Sequence, residues 1–217
     1  MKLFFYDLET TGTLYWKHGI HQIAGAIIID GELKEKFNFK VCPHDKALIE
    51  DEALAVGNVT KEQILAYPKM GEVYHQLIQI LSKYCDKYAK KDKFHLVGYN
   101  INSFDNQFFR AFFTQNYDNY FGSWFWPDSL DCYVLASNKF KAVRHTFENF
   151  QQRTVAKRLG IEVDETKLHD AEYDIDICVQ IFNVLEKPVT DEEKFDVMAD
   201  KNPELITIKN GLNLTIE

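Results

Sequence analysis

Three short stretches of this sequence carry carboxylates at spacings that chemistry can use. The first is Phe4-Phe5-Tyr6-Asp7-Leu8-Glu9-Thr10-Thr11-Gly12. In a strand, positions two apart point to the same side, roughly 6.5 to 7 Å apart along the chain. Asp7 and Glu9 therefore project from one face, and Phe4, Tyr6 and Leu8 occupy the other. A strand this apolar is buried on both sides, where two adjacent carboxylates repel and are poorly solvated. Either one of them takes a proton or a cation lies between them. The alternative is that the strand has already ended and both acids are solvated at its tip.

The second stretch, Asn100-Ile101-Asn102-Ser103-Phe104-Asp105, puts Asp105 in the first turn of a predicted helix. The helix dipole favours a carboxylate there with or without a function. The third, Leu168-His169-Asp170-Ala171-Glu172-Tyr173-Asp174-Ile175-Asp176, offers four acids. On a helix, the neighbours of Asp174 at three and four residues are Ala171, Ile177 and Cys178, which puts it on the buried stripe. Asp176, beside Glu172, Tyr173 and Gln180, falls on the solvated face. His169 lies about 140° around an ideal helix from Asp174, so it reaches the same site only from the preceding loop. A lone histidine is otherwise structural or exposed.

Asp7 and Glu9, Asp105, and Asp174 thus stand on three separate elements that an α/β sheet can bring together. All-oxygen donors suit magnesium or manganese rather than zinc. A histidine beside such a cluster can serve as general base toward a water.

The elements that must position these residues can be read in turn. Residues 2–8, 20–30 and 32–41 read as strands, and Asp30-Gly31 between the last two is a tight-turn signal for a hairpin. Imperfect alternation of Lys34, Lys36 and Lys40 with Phe37 and Phe39 places the third strand near an edge. Thr60 with Gln63 forms a capping-box pattern for a short helix. A longer helix is expected over residues 72–91, its last turns rich in lysine. A strand at 94–99, a Phe-rich helix to about residue 115, and helices over 147–159 and 171–186 follow; 130–136 suits either strand or helix. The order predicts a mixed sheet with helices on both faces. Beyond Pro188, two alternating segments flank Asn210-Gly211 in a hairpin pattern that adds to the sheet edge, covers a face or contacts a partner. The division expected is therefore a domain over 1–187 and an extension over 188–217.

Composition supports one sizeable core, with 46% hydrophobic and 27% charged residues among 217, and argues against disorder, collagen-like repeats and coiled coil. No apolar run approaches the roughly 18 residues of a membrane span, and the apolar segment after Lys2 is too short for a secretory signal. Cys42, Cys85, Cys132 and Cys178 form no CxxC pair, so a reducing cytoplasm is the expectation. A net charge of −8 weighs against a protein that coats nucleic acid. It leaves room for an enzyme whose carboxylates bind metal, because bound cations reverse the local sign.

Taken together, the three stretches resemble the motifs of the DEDDh 3′–5′ exonucleases, a ribonuclease H-like group that includes bacterial polymerase proofreading subunits. The D-x-E-T-T-G motif looks like residues 7–12, the Asn followed by F-D looks like Asn100 and Phe104-Asp105, and H-x-A-x-x-D looks like His169, Ala171 and Asp174. Residues 52–65 also resemble a family stretch, and the likeness spans about 1–187. The resemblance implies a ribonuclease H-like α/β fold with a mixed five-stranded sheet. It also implies hydrolysis of single-stranded DNA or unpaired 3′ ends to nucleoside 5′-monophosphates. Asp7, Glu9, Asp105 and Asp174 would bind two Mg2+ or Mn2+ ions, and His169 would activate the water. Thr10, Thr11, Gly12, Asn100 and Phe104 are the expected substrate contacts, Phe104 toward a base. An exoribonuclease of the same group and a non-catalytic nucleic-acid-binding subunit are the alternatives, and the C-terminal hairpin is a candidate protein contact. The chain departs from the family at Leu14-Tyr15-Trp16-Lys17-His18, where a small polar run is usual and a changed 3′-end pocket is expected. Lys139, Lys141, Arg144, Arg153, Lys157 and Arg158 form the densest basic region, which either guides a strand or is a solvated helix face.

Overall fold

Alternation along the first strand divides the protein into two layers. The computed structural model describes residues 1–167 and 171–186. Its sheet contains β1 (Lys2–Thr10), β2 (Ile20–Ile29), β3 (Glu32–Lys40), β4 (Phe94–Gly98) and β5 (Phe125–Asp131) in the order β3-β2-β1-β4-β5. β2 pairs antiparallel with β1 and β3, whereas β4 is parallel to β1 and β5. This is the expected mixed five-stranded sheet, with β3 at an edge. The β2–β3 hairpin turns on Asp30 (φ 52°) and Gly31 (φ 84°), the two left-handed positions that a type I′ turn requires.

The helices are α1 (Asp51–Val56), α2 (Lys61–Leu65), α3 (Met70–Tyr84), α4 (Asp105–Gln115), α5 (Phe121–Trp124), α6 (Cys132–Lys139), α7 (Gln152–Arg158) and α8 (Ala171–Leu185), with a 3-10 turn at Arg144–Thr146. On one face of β1, Phe4, Tyr6 and Leu8 meet Ile23 and Ile27 of β2, Leu77 and Leu81 of α3, and Phe109 and Phe113 of α4. On the other, Leu3 and Phe5 join Ala24 and Ala26 beneath Cys132, Val155, Ile175, Cys178 and Phe182 of α6, α7 and α8. Asp7 and Glu9 share the parity of the second set.

Some expected boundaries move. Thr60 caps α2 as its pattern predicts, accepting the Gln63 N–H at 3.3 Å while Gln63 Oε1 accepts the Thr60 N–H at 2.7 Å. The helix expected over 72–91 stops at Tyr84 because Cys85 is extended (φ −139°, ψ 126°). The Cys85 thiol bonds the Asp92 carbonyl, and the Asp92 carboxylate accepts the Asp86 N–H and pairs with Lys2 of β1. Lys87, Lys90 and Lys91 consequently lie in the turn that feeds β4. The ambiguous stretch 130–136 is the junction of β5 and α6, capped by Asp131, which accepts the Tyr133 N–H. The helix expected over 147–159 shortens to α7, since Asn149 Oδ1 takes the Gln151 N–H and the Thr154 hydroxyl in a preceding turn. Gly160 (φ 76°) ends it. The expected C-terminal hairpin, and His169, lie outside the described residues. No helix among the described residues is long and apolar enough to cross a membrane.

Candidate active site

β1 outruns its parallel neighbour. The β1–β4 pairing registers Phe5 with Val97 and β4 ends at Gly98, so beyond this point the β1 backbone lacks a β4 partner. Asp105, at the start of α4, fills that gap: it is buried, and its Oδ1 accepts the Leu8 N–H at 3.1 Å. The loop that delivers it turns at Asn100 (φ 63°). The N–H groups of Asn100 and Asn102 both donate to the buried Asp131 carboxylate, at 2.8 and 2.9 Å. Asp131 was not singled out among the candidate acids, although an acid that ends an apolar strand just before a helix is a recognisable cap signal. Its role here is positioning.

Asp7 is half-buried and lines a cavity of ≈ 310 Å³ with Asp174, Gln151, Gln152, Arg153 and Ile177. Desolvation pushes its carboxyl well above the usual carboxylate range, and the negative charges of Asp105, Glu9 and Asp174 push it further. Burial likewise raises Asp105, with Glu9 and Asp131 adding to it, against N–H donors from its own backbone and from Leu8. Asp105, Glu9 and Asp174 are thus each within electrostatic reach of Asp7. The solvated-tip alternative fails for Asp7, because β1 continues to Thr10. Asp174 sits at the border of the buried stripe of α8, and its carbonyl accepts Gln152 Nε2 at 2.7 Å, tying α7 to α8. Asp176 turns away and pairs with Lys36 of β3 at 2.5 Å.

Among the described residues, no three His, Cys, Asp or Glu side chains close around one point as ligands of an ion would. The donor set nevertheless fits a hard divalent cation. Its atoms are all carboxylate oxygens, and the desolvation and like-charge repulsion at Asp7 are what bound positive charge relieves.

The residues expected at the substrate divide. Thr11 is fully buried; its hydroxyl donates to the Leu48 carbonyl at 2.6 Å and accepts the Gly19 N–H at 3.0 Å. Its side chain therefore fastens the loop after β1. Thr10 turns its hydroxyl back to the Gly12 carbonyl at 2.8 Å and is also buried. Gly12 (φ 157°) lies against the His18 ring, where an added Cβ would sit 2.5 Å from a ring carbon. It is a packing residue, and only glycine fits. His18 accepts the Leu14 N–H on Nδ1 at 2.9 Å and presents Nε2 to Glu50 at 3.1 Å. Asn100 is exposed and borders a second groove, whereas Phe104 is half-buried with its ring 5.0 Å from that of Phe108.

The unusual run 14–18 forms a tight turn, the N–H groups of Lys17 and His18 both meeting the Leu14 carbonyl. It displays Trp16 at 62% exposure, with the Tyr15 ring packed edge-on between Trp16 and Phe108. In the basic region, Lys157 pairs with Glu165, Arg153 lies 3.9 Å from the same carboxylate, and Arg158 covers Phe147.

A family model described as Exonuclease matches residues 4–182, and a second, described as a domain of unknown function, matches 187–217. No curated protein matches in sequence. Among solved structures, Exonuclease I of E. coli in complex with a dT13 oligonucleotide is similar at a TM-score of 0.67 and 18% identity, over 95% of this chain and 45% of that one. The zinc-bound form of the E. coli enzyme with single-stranded DNA gives 0.65 and 18%, over 95% and 42%. An apo Exonuclease I gives 0.65 and 18%, over 96% and 46%. This chain spans less than half the length of those it matches, and the likeness extends to the fold.

Proposed function

The chain belongs to the exonuclease family, and from that premise we propose that it is a metal-dependent 3′–5′ exonuclease, hydrolysing single-stranded DNA or unpaired 3′ ends to nucleoside 5′-monophosphates. The observation that carries this reading is that Asp7 of β1 and Asp174 of α8 line one cavity while Asp105 of α4 is bonded to the β1 backbone at Leu8, between Asp7 and Glu9. Crowded, desolvated carboxylates are unfavourable for stability alone, so their grouping calls for a function.

In this reading Asp7, Glu9, Asp105 and Asp174 hold two Mg2+ or Mn2+ ions, which would supply charge to offset the phosphodiester and acidify water. The protein's own contribution begins with rigidity. Asp105 is locked to the β1 backbone, and Asp131 fixes the loop before it. Thr10, Thr11 and Gly12 shape the adjoining loop. His169, two residues before Ala171 in the sequence, takes the proton of the attacking water, a task suited to an imidazole near neutral pH. Trp16 and Tyr15 offer exposed rings on which unpaired bases stack without regard to sequence. The single-stranded DNA bound by the similar E. coli enzyme supports the choice of substrate. Four free, buried cysteines agree with a cytoplasmic setting.

Release of mononucleotides from 5′-labelled DNA and RNA strands, with Mg2+, Mn2+ or EDTA, tests the proposal. Stepwise shortening of single-stranded DNA from its 3′ end, abolished by EDTA, is expected. Faster shortening of RNA would assign an exoribonuclease. Binding of either strand with no release under any metal would assign a non-catalytic subunit.

A further inference from the structure

Arg144 differs from its basic neighbours. Lys157 and Arg153 both face the Glu165 carboxylate, but among the described residues no carboxylate lies within ion-pair distance of Arg144. Its guanidinium is held by neutral groups: one terminal nitrogen donates to Ser137 Oγ at 2.8 Å and the other to the Tyr133 hydroxyl at 3.1 Å. Its central carbon lies 3.5 Å from the centre of the Phe150 ring. Of the five N–H donors of a guanidinium, these contacts use two. They fix the direction of the fork while leaving its full positive charge.

The surroundings indicate what that charge faces. Arg144 lines a groove of ≈ 510 Å³ with Asn100, Tyr133, Phe150, Gln151 and Gln152. Gln151 and Gln152 also line the cavity that holds Asp7 and Asp174. The groove therefore opens directly beside the acid cluster. A polyanion reaching that cluster on a protein of net charge −8 meets repulsion, and a fixed, unneutralised cation beside the cluster counteracts it. A planar fork of donors matches two phosphate oxygens at once.

We propose that Arg144 is a phosphodiester-binding residue that grips the strand's backbone on the 5′ side of the bond being cut, with Asn100 and Tyr133 forming the walls of that subsite. The proposal rests on the reading of the chain as a 3′-end nuclease. It specifies that strand length beyond the terminal nucleotide is sensed at this groove.

The test compares two substrates, a short oligothymidylate and the p-nitrophenyl ester of thymidine 5′-monophosphate, which has no phosphate upstream of the reacting one. Arg144→Gln should raise KM for the oligonucleotide about 10- to 100-fold, the loss of one charge-assisted contact. It should leave kcat for the ester within twofold of wild type. The slope of log Kd against log salt for the oligonucleotide in EDTA should become shallower by about 0.7, one phosphate contact on a single strand. Arg144→Lys, which keeps the charge but not the fork, should restore the salt slope and only part of KM. Equal losses on both substrates, with a lowered Tm, would reduce Arg144 to a tie between the 3-10 turn and α6 and overturn the subsite. So would an unchanged KM and salt slope in an active enzyme. A wild-type protein inert toward both substrates would overturn the nuclease reading, and the subsite with it.

Discussion

The two faces of β1 have the same backbone and opposite purposes. The face carrying Phe4, Tyr6 and Leu8 is closed by aromatic rings. Phe109 is fully buried, 4.8 Å from the Tyr6 ring and within 6 Å of those of Phe4, Phe113, Phe121 and Phe125. The face carrying Leu3 and Phe5 starts as core among small side chains and then, two residues on, becomes Asp7, which lines an open cavity, followed by Glu9. Packing on the first face is what holds a strand rigid whose other face is electrostatically unfavourable. Stability and chemistry are separated by the pleat of one strand, one residue apart.

That separation can be broken by substitution. The largest effect is expected for Asp7→Asn: hydrolysis of single-stranded DNA falls by about a thousandfold or more, the scale for losing a group of the reacting site, while Tm stays level or rises. The sign follows from the raised pKa of Asp7. A folded state that favours the protonated form is penalised at neutral pH by the ionised one, and asparagine removes the charge. Activity and denaturation measured on one preparation decide it, and a marked loss of stability would make Asp7 structural.

Phe109→Ala should do the reverse, lowering the unfolding free energy in urea by about 3–5 kcal/mol. Its kcat should stay near that of wild type at temperatures where the variant is folded. If kcat collapsed in a fully folded variant, the two faces would not be separable.

The smallest effect lies where β1 and β2 slip register, between Glu9 and Thr10. His21 sits at that irregularity, fully buried, with neither ring nitrogen hydrogen-bonded among the described residues. Burial, helped by the charge of Lys40, lowers its pKa to about 4. The folded state then binds fewer protons than the unfolded chain between pH ~6.5 and ~4, so stability falls as pH falls through that window, by about 3 kcal/mol in all. Tm profiles of wild type and His21→Leu should diverge below pH 6.5, with the wild type losing more. Parallel profiles would show that His21 does not titrate in that range.

Much of this was legible in residue order. Alternation around Asp7 and Glu9 gave the two faces, Asp30-Gly31 gave the hairpin, and Thr60 with Gln63 gave the cap, because each depends on neighbours within a few positions. The Asp174 and Asp176 assignment followed from helical period alone. Residue order did not reveal that Thr11 turns inward, since its partners, the Leu48 carbonyl and the Gly19 N–H, lie outside its own motif. Nor did it show α3 ending at Tyr84, a boundary set by the Cys85 and Lys2 contacts to Asp92. β5 was obscured by Trp126-Pro127-Asp128, which interrupts any strand pattern.

The sequence by itself determined which side chains share a face, because the periods of strand and helix are properties of the local backbone. Only the tertiary structure decided that Asp105 caps the free end of β1, that Asp174 shares a cavity with Asp7, and that Arg144 lines the adjoining groove with no carboxylate partner among the described residues. Those outcomes depend on where one element ends relative to another, and lateral packing between distant parts of the chain sets that.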